Sequence, residues 1–312
     1  MREAKATLAP WRVSLHGGHS GDFCDHAFST LRETLEAAVT AGYHTFGVSE
    51  HVPRSTDFLY PEEVTRGWTA AKIEADFERF AVAVDVLATQ FADRLIVLRG
   101  FEIEVVPTGS YVDQVRGYAA RALPDGRPTF DYFVGSVHFV QEVQIDGPPR
   151  NFLRAVHVCG GIEALAVRYY DTISEMVQAV RPPIVGHLDL IKKNVRASGF
   201  SFSDIETSPV MDAVDRALEA VRAVGSILDL NTAGWRKGLG EPYPAPWLVR
   251  RAHAMGVPFC FGDDSHRPED VGAGVDAARD YLISNGVPTV TVLTRDGDAQ
   301  SGVIVRRIVP LD

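Results

Sequence analysis

The histidines of this chain are distributed unevenly. Seven of the ten follow short apolar runs at or just beyond the point where each run ends. Those seven are His16, His19, His26, His51, His138, His187 and His266. Carboxylates occupy equivalent places, with Glu102 and Glu104 after one run and Asp264 after another. Imidazole nitrogens mixed with a few carboxylates suit zinc, iron or manganese, and these candidates outnumber the roughly four ligands of one tetrahedral ion. The pattern predicts a centre of two to three divalent metal ions.

Each of these residues also has an ordinary structural role open to it. A single strand-end histidine such as His138 is more often simply hydrogen-bonded, and Asp264 alone could cap a helix or a turn. Gathering many partly buried imidazoles on one face without metal is costly, because they repel one another once protonated. The joint pattern therefore favours metal binding over the separate structural roles.

Such a centre needs elements that bring distant positions together. Strand-like apolar runs lie near residues 11–15, 45–49, 95–99, 132–137, 183–185, 227–230 and 257–261, each followed by an amphipathic segment. Seven βα units form either an open sheet or a closed barrel. No glycine-rich nucleotide-binding motif follows the first run, so we predict a barrel with the site at the C-terminal ends of its strands.

Two helices are predicted most clearly. Thr30 and Glu33 form a capping-box pattern at the start of an amphipathic segment that Gly42 ends. A second, longer helix is expected over residues 68–91, where an apolar stripe faces a charged side.

Length and composition fit one globular unit. The chain has 312 residues, of which 46% are hydrophobic, so we expect a single domain over residues 1–312, although two ordinary domains would also fit this length. Residues 139–163 are rich in Gly, Pro and polar residues and are predicted to form a long loop over one end of the barrel. The oligomeric state is not indicated.

Charge and apolar runs point away from several classes of protein. The net charge is −10 and no run of Lys and Arg marks a nucleic-acid face. No apolar run approaches the roughly 20 residues of a membrane span, and the N-terminal stretch lacks the apolar region of a secretory signal. We therefore expect a cytoplasmic protein that binds neither nucleic acid nor membrane.

Four polar residues follow strand ends and could contact an anionic substrate. They are Asn231, Arg236, Lys237 and Lys192, with Lys193 beside the last of them. Arginine and lysine bind phosphate through charged hydrogen bonds. A strand-to-loop turn explains Asn231 almost as well, and surface lysines are usually just solvated.

The order of these motifs resembles the polymerase-and-histidinol-phosphatase (PHP) superfamily over nearly the whole chain. The landmarks are HGGHSGDFCDH (16–26), SEH (49–51), GFEIE (100–104), GSVH (135–138), GHLDL (186–190) and GDDSH (262–266). The resemblance implies a distorted (β/α)7 TIM-like barrel that holds three metal ions.

By position, the resemblance implies nine metal ligands. His16, His19, Glu102 and Asp264 would surround a first ion, and Glu102 would bridge to a second ion completed by His138 and His187. His26, His51 and His266 would hold a third. Glu102, Asp264 and His187 are then the expected catalytic residues.

The first motif departs from the superfamily, in which the two histidines are usually separated by one residue. Here Gly17 and Gly18 lie between His16 and His19. Two glycines can adopt positive φ and form a bulge, which would return His19 to the same side as His16.

Within the superfamily, NTAGWRK (231–237), EPYPAP (241–246) and DSHRPEDVG (264–272) are most similar to the histidinol-phosphatase branch. The resemblance implies hydrolysis of histidinol phosphate, a small phosphate ester of histidine biosynthesis. Bound divalent ions would activate water and attract the phosphate despite the acidic protein. Two alternatives stay open: a phosphoesterase for nucleotides or nucleic-acid ends, with Trp68 or Trp235 stacking a base, and a non-catalytic module.

Overall fold

A computed structural model describes residues 9–312 of the chain. Its strands are β1 (Val13–Ser14), β2 (Thr45–His51), β3 (Ile96–Ile103), β4 (Tyr132–Gly135), β5 (Phe139–Val140), β6 (Val143–Gln144), β7 (Ile184–Val185), β8 (Ile227–Asn231), β9 (Phe259–Gly262), β10 (Thr289–Asp296) and β11 (Val303–Pro310). The N-terminal stretch whose composition argues against a secretory signal begins in residues 1–8, which lie outside the described residues.

The helices follow the strands along most of the chain. They are α1 (Leu31–Thr40), α2 (Pro61–Thr65), α3 (Ala70–Phe91), α4 (Tyr111–Ala119), α5 (Pro149–Cys159), α6 (Ile162–Val180), α7 (Ser208–Val224), α8 (Ala233–Arg236), α9 (Pro246–Ala254) and α10 (Val275–Ser284). Short 3-10 turns span Thr56–Phe58, Leu190–Asn194, Arg196–Ser198, Phe202–Ile205 and Pro268–Asp270.

Seven parallel strands close into a barrel in the order β1, β2, β3, β4, β7, β8 and β9. The ring closes where Ser14 of β1 pairs with Phe261 of β9. Each of these strands coincides with one of the seven predicted runs, so the predicted α/β barrel is confirmed. A parallel barrel directs all its C-terminal strand ends to one rim. The register places His51 beside Glu102 at that rim.

Local sequence explains the two helices that were predicted. Thr30 caps α1 through a capping box with Glu33, and Leu31, Leu35 and Ala38 are buried along one face of this helix. The apolar stripe of α3 is buried as expected, with Phe80 and Val84 fully enclosed. One hydrophobic core runs through the barrel and its helices.

Two regions differ from the prediction. Residues 139–163 are not a continuous loop: they contain the hairpin of β5 and β6 and then α5, a strongly amphipathic helix with Phe152 and Ala155 buried. A proline and a left-handed Gly160 bound α5, and such residues were misread as marks of a loop. The antiparallel hairpin of β10 and β11 lies outside the βα pattern and was not predicted.

The described part of the chain, residues 9–312, contains no helix with the length and apolar character needed to cross a bilayer.

Candidate metal centre

Glu102 lies at the middle of the cluster of histidines. It belongs to β3, and its side chain is almost completely buried. Oε1 lies 3.4 Å from Nε2 of His16 and 3.2 Å from Nε2 of His187. Oε2 lies 3.3 Å from Nε2 of His19 and 3.2 Å from Nδ1 of His51. Each carboxylate oxygen therefore faces a different pair of imidazoles, as a bridging carboxylate would.

His138 and His187 meet on one side of Glu102. Their Nε2 atoms are 3.2 Å apart, and Nε2 of His138 lies 3.7 Å from Oε1 of Glu102. His187 directly follows the short strand β7 and Gly186, and its backbone has a positive φ of 24°. A non-glycine residue in this region is strained, and such strain is often found at functional sites.

Asp264 joins the other side of the cluster. Its Oδ1 lies 3.7 Å from Nε2 of His19, and ligand atoms of His16, His19 and Asp264 all lie within 4.8 Å of one another. The backbone of Asp264 also has a positive φ, of 46°. This turn after β9 directs the carboxylate back over the barrel rim.

The glycine pair delivers both histidines of the first motif to Glu102, but the two glycines act differently. Gly18 has a φ of 109°, and a Cβ there would overlap the backbone of Ser265. Gly17 does not have positive φ, contrary to the prediction for both residues. A side chain at Gly17 would instead meet the carbonyl of Gly47 and the Phe46 ring. Close packing alone requires glycine at position 17. At position 18, both the positive φ and the close packing require it.

The three histidines predicted to hold a third ion form a looser group. The ring centroid of His26 lies 4.8 Å from that of His266 and 5.4 Å from that of His51. Among the described residues, His51 belongs to one compact group of possible ligands with Glu102 and to another with Glu104 and His138. It shares no such group with His26 or His266. Sγ of Cys24 lies 3.2 Å from Nδ1 of His26.

Three carboxylates that were not predicted as metal ligands orient the imidazoles of His16, His19 and His138. Asp229, Glu50 and Glu104 contact Nδ1 of His16, His19 and His138 at 2.9, 3.1 and 2.9 Å, respectively. A carboxylate on one ring nitrogen fixes the imidazole and leaves the other nitrogen for a metal. The adjacency of Glu50 to His51 and of Glu104 to Glu102 was a signal for two of them.

The pKa values of the histidines in this cluster shift in two directions. Burial lowers the pKa of His19 and of His138, but their carboxylate partners outweigh it and raise both pKa values to about 9. Burial and neighbouring imidazoles hold the pKa values of His26 and His51 well below the ordinary value. Burial also lowers the pKa of His266, to about 3.

The donor atoms fit a set of divalent ions. Nε2 of His16, Nε2 of His19, Nδ1 of His51 and Oε1 of Glu102 are buried without a hydrogen-bond partner among the described residues. Unpaired buried polar atoms are costly, and the four residues fall in two groups that share Glu102, each with ligand atoms within 4.8 Å of one another. Nitrogen and carboxylate donors in this mixture suit zinc, iron or manganese.

A cavity of about 540 Å³ opens above the cluster. Its wall includes predicted ligands together with the cations Lys193, Arg236, Lys237 and Arg267, and with Tyr60, Glu62, Asp146 and Asp270. Nζ of Lys237 lies 3.5 Å from Oδ2 of Asp264. Basic side chains at the mouth of a metal cluster form an electrostatic environment that suits a small anion.

Arg236, a predicted substrate contact, lines the cavity, but most of its guanidinium is already engaged. It donates to Thr232 Oγ1 and to the backbone carbonyls of Asp263 and Asp264. Its Nε also lies 3.3 Å from Asp270. These contacts hold the turn that carries Asp264.

Two of the predicted substrate contacts are placed elsewhere. Asn231 is fully buried below the cavity: its amide donates to Asp229, and its oxygen accepts the N–H of Ala233. Lys192 points away from the cavity, where Nζ pairs with Asp189 and Glu241. The next residue, Lys193, lines the cavity instead. Both predictions of substrate contact are therefore corrected.

The two tryptophans considered for base stacking do not line this cavity. Trp68 packs under Nζ of Lys72, and Trp235 packs edge-to-face against Tyr281. The nucleotide alternative thus loses the feature that would have favoured it.

Comparison with known proteins gives one consistent result. The family model described as PHP domain matches residues 16–233. The "Probable histidinol-phosphatase" of Deinococcus radiodurans is 32% identical over 269 residues, which cover 86% of this chain and 92% of the relative. The protein of the same description from Schizosaccharomyces pombe is 28% identical, with 95% and 94% covered.

Two solved structures share the fold. A candidate histidinol phosphatase from Listeria monocytogenes aligns with a TM-score of 0.73 at 25% identity, covering 85% of this chain and 99% of that one. The histidinol phosphate phosphatase of Lactococcus lactis, solved with zinc, L-histidinol and phosphate, aligns with a TM-score of 0.65 at 17% identity, covering 95% and 99%. The family match, the relatives and the barrel agree that this chain belongs to the PHP family.

Proposed function

We propose that this protein is a metal-dependent phosphatase that hydrolyses histidinol phosphate to L-histidinol and phosphate. The observation that carries the proposal is the arrangement around Glu102, whose two oxygens each face a separate pair of imidazoles. Relatives described as histidinol-phosphatases, similar over almost their whole length, support this substrate.

The proposed ligands are the nine residues of the sequence-based assignment. They are His16, His19, His26, His51, Glu102, His138, His187, Asp264 and His266. Two to three ions of zinc, iron or manganese would be held, and zinc in the Lactococcus lactis structure belongs to a protein of the same fold. Divalent ions in such a centre lower the pKa of bound water and neutralise charge on phosphoryl oxygens.

The protein side chains supply position and charge. Asp229, Glu50 and Glu104 hold three of the imidazoles in a fixed orientation, so that the same ring nitrogen always faces Glu102. Lys193 and Lys237 line the cavity and attract the phosphate dianion. Arg236 donates to the backbone carbonyl of Asp264 and so fixes the turn that carries this residue. A rigid centre of this kind aligns the ester without reorganisation during the reaction.

Turnover of a small panel of phosphomonoesters tests the proposal. We expect kcat/KM for histidinol phosphate to exceed that for serine phosphate or a nucleoside monophosphate by at least about tenfold. Metal analysis of the same preparation should give two to three ions per chain. Equal or reversed ratios would contradict the assigned substrate, and less than one ion per chain after metal-supplemented expression would contradict the assigned centre.

A further inference from the structure

Asp146 is an acidic residue of the cavity wall to which the proposed chemistry gives no role. It follows β6 and lines the same cavity as His138 and His187. The side chain is only 18% exposed, and Oδ1 is buried with no hydrogen-bond partner among the described residues. A carboxylate with so little access to water attracts a cation at the cavity wall more strongly than an exposed carboxylate would.

The backbone on both sides of Asp146 is held rigidly. The buried amide of Asn194 donates to the carbonyl of Ile145 at 2.8 Å and to that of Gly147 at 2.7 Å. The N–H of Ile145 in turn donates to the carbonyl of His138 at 2.9 Å. These bonds fix the carboxylate of Asp146 relative to a proposed metal ligand, which is the preorganisation that a recognition residue needs.

The neighbouring charges keep Asp146 ionised without satisfying it. Burial raises the pKa of this carboxyl, but Lys193 and His138 outweigh burial and hold the pKa below its usual range. Lys193 approaches Oδ2 only, with Nζ at 3.5 Å. This contact is long for a charged hydrogen bond, so the partly exposed carboxylate can still bind a cation that enters the cavity.

Two other acids of the cavity wall, Asp270 and Glu62, are not proposed metal ligands, and both differ from Asp146. Asp270 already pairs with Nε of Arg236 and accepts the N–H of His266. Glu62 is exposed to solvent. Neither combines burial, a fixed backbone and an unpaired oxygen.

We infer that Asp146 binds the protonated amino group of the substrate and thereby selects amino-alcohol phosphates over other phosphomonoesters. The inference rests on the proposed function and adds to it a residue that determines specificity. A primary amine of this kind is largely protonated at neutral pH, and it offers charged N–H donors to a carboxylate. The phosphate end would then face the metal cluster and Lys237, while the amine faces Asp146.

Direct binding to the metal-loaded enzyme tests this inference independently of turnover. The probes are L-histidinol and its deaminated analogue 3-(imidazol-4-yl)propan-1-ol, measured by calorimetry in the presence of inorganic phosphate. The variants are Asp146→Asn, which keeps the size of the side chain, and Glu62→Gln as the control acid at the cavity wall. Thermal unfolding and metal content verify that each variant is folded and loaded.

We expect the unmodified enzyme and Glu62→Gln to prefer L-histidinol by about tenfold or more, and Asp146→Asn to bind both alcohols about equally. The inference is overturned if Asp146→Asn keeps the preference, if it weakens both ligands alike, or if the unmodified enzyme shows no preference. Failure to hydrolyse histidinol phosphate would instead reject the proposed function, and the binding comparison would still decide the role of Asp146.

Discussion

Nδ1 of His16 lies 2.9 Å from Oδ2 of Asp229, and both side chains are completely buried. Oδ1 of the same aspartate accepts the backbone N–H of His187. One carboxylate therefore positions two of the proposed ligands, whose ring centroids are 5.4 Å apart although they follow different strands. Asn231 supports it with a further hydrogen bond at 2.9 Å.

Replacing Asp229 with Asn should weaken metal binding without removing a ligand. The amide cannot serve as an acceptor for both the imidazole and the backbone at full strength, so His16 loses its fixed orientation. We expect affinity for the ions to fall about 10- to 100-fold, measured by competition with a chelator. Asp171→Asn, at a surface pair with Arg216, is the control and should bind metal normally. Unchanged affinity in Asp229→Asn would show that orientation by Asp229 is unimportant.

Glu102→Ala should lower kcat by orders of magnitude and deplete the bound metal, because this carboxylate faces four imidazoles at once. His253→Ala is the matched control, since His253 is exposed on α9, away from the barrel rim. His44→Ala should likewise change kcat little, since its ring contacts Thr45 and the carbonyl of Pro10. A loss in His253→Ala as large as that in Glu102→Ala would contradict the proposed centre.

The rim of the barrel could be predicted because it depends on a local signal. In a parallel barrel each strand end reaches the same face, so residues such as His51 and His187 could be grouped from sequence alone. Asp229 could not, because it lies inside β8 and nothing in the local pattern distinguishes an inward-facing acid from a structural one. Its role depends on His16, which is 213 positions away in sequence.

Lys192 was predicted to contact the substrate, whereas Lys193 lines the cavity, and this difference has another cause. Both follow β7, and the sequence does not indicate that residues 190–194 form a tight 3-10 turn. That turn directs Lys192 inward to Asp189 and Lys193 toward the cavity. Neighbouring residues of this turn point in different directions, so the path of the backbone decides which of the two lysines faces the cavity.

Metal uptake by the metal-free protein should release protons. The pKa values of His19 and His138 are raised to about 9 by their carboxylate partners, so both imidazoles are protonated at pH 7.5. Ligation requires neutral imidazole, and the pKa of His16 is also raised well above its ordinary value, so we expect at least two protons per chain on metal binding, detected with an indicator in weak buffer. Release of no protons at pH 7.5 would contradict this assignment of the charged forms.

The same pKa values predict how the stability of the metal-free protein depends on pH. A histidine whose pKa is raised on folding stabilises the folded state fully below about pH 6.5, its ordinary value. This contribution of His19 and His138 is lost as the pH rises from about 6.5 to 9. The free energy of unfolding, measured with urea, should fall over this range in the metal-free protein and much less in the metal-loaded one. An identical pH dependence for the two forms would rule out this explanation.

The glycine pair of the first motif provides the last prediction. Gly18→Ala should be strongly destabilising, because φ is 109° and the new Cβ would overlap the backbone of Ser265. Gly126→Ala is a matched control, with φ of 86° and nothing within 4 Å of the added carbon. We expect a loss of about 1–2 kcal/mol in the free energy of unfolding for the control, from conformation alone, and a clearly larger loss for Gly18→Ala.

Metal content separates the role of Gly18 in the site from its role in the fold. The strand must turn at Gly18 for Nε2 of His16 and of His19 to face the two oxygens of Glu102, at 3.4 and 3.3 Å. Any Gly18→Ala protein that still folds should therefore lose bound metal, as should His16→Gln and His19→Gln, whereas Gly126→Ala should keep its full content. Full metal content in either histidine variant would remove that residue from the ligand set, and full content in folded Gly18→Ala would show that the strand can present both imidazoles without this turn.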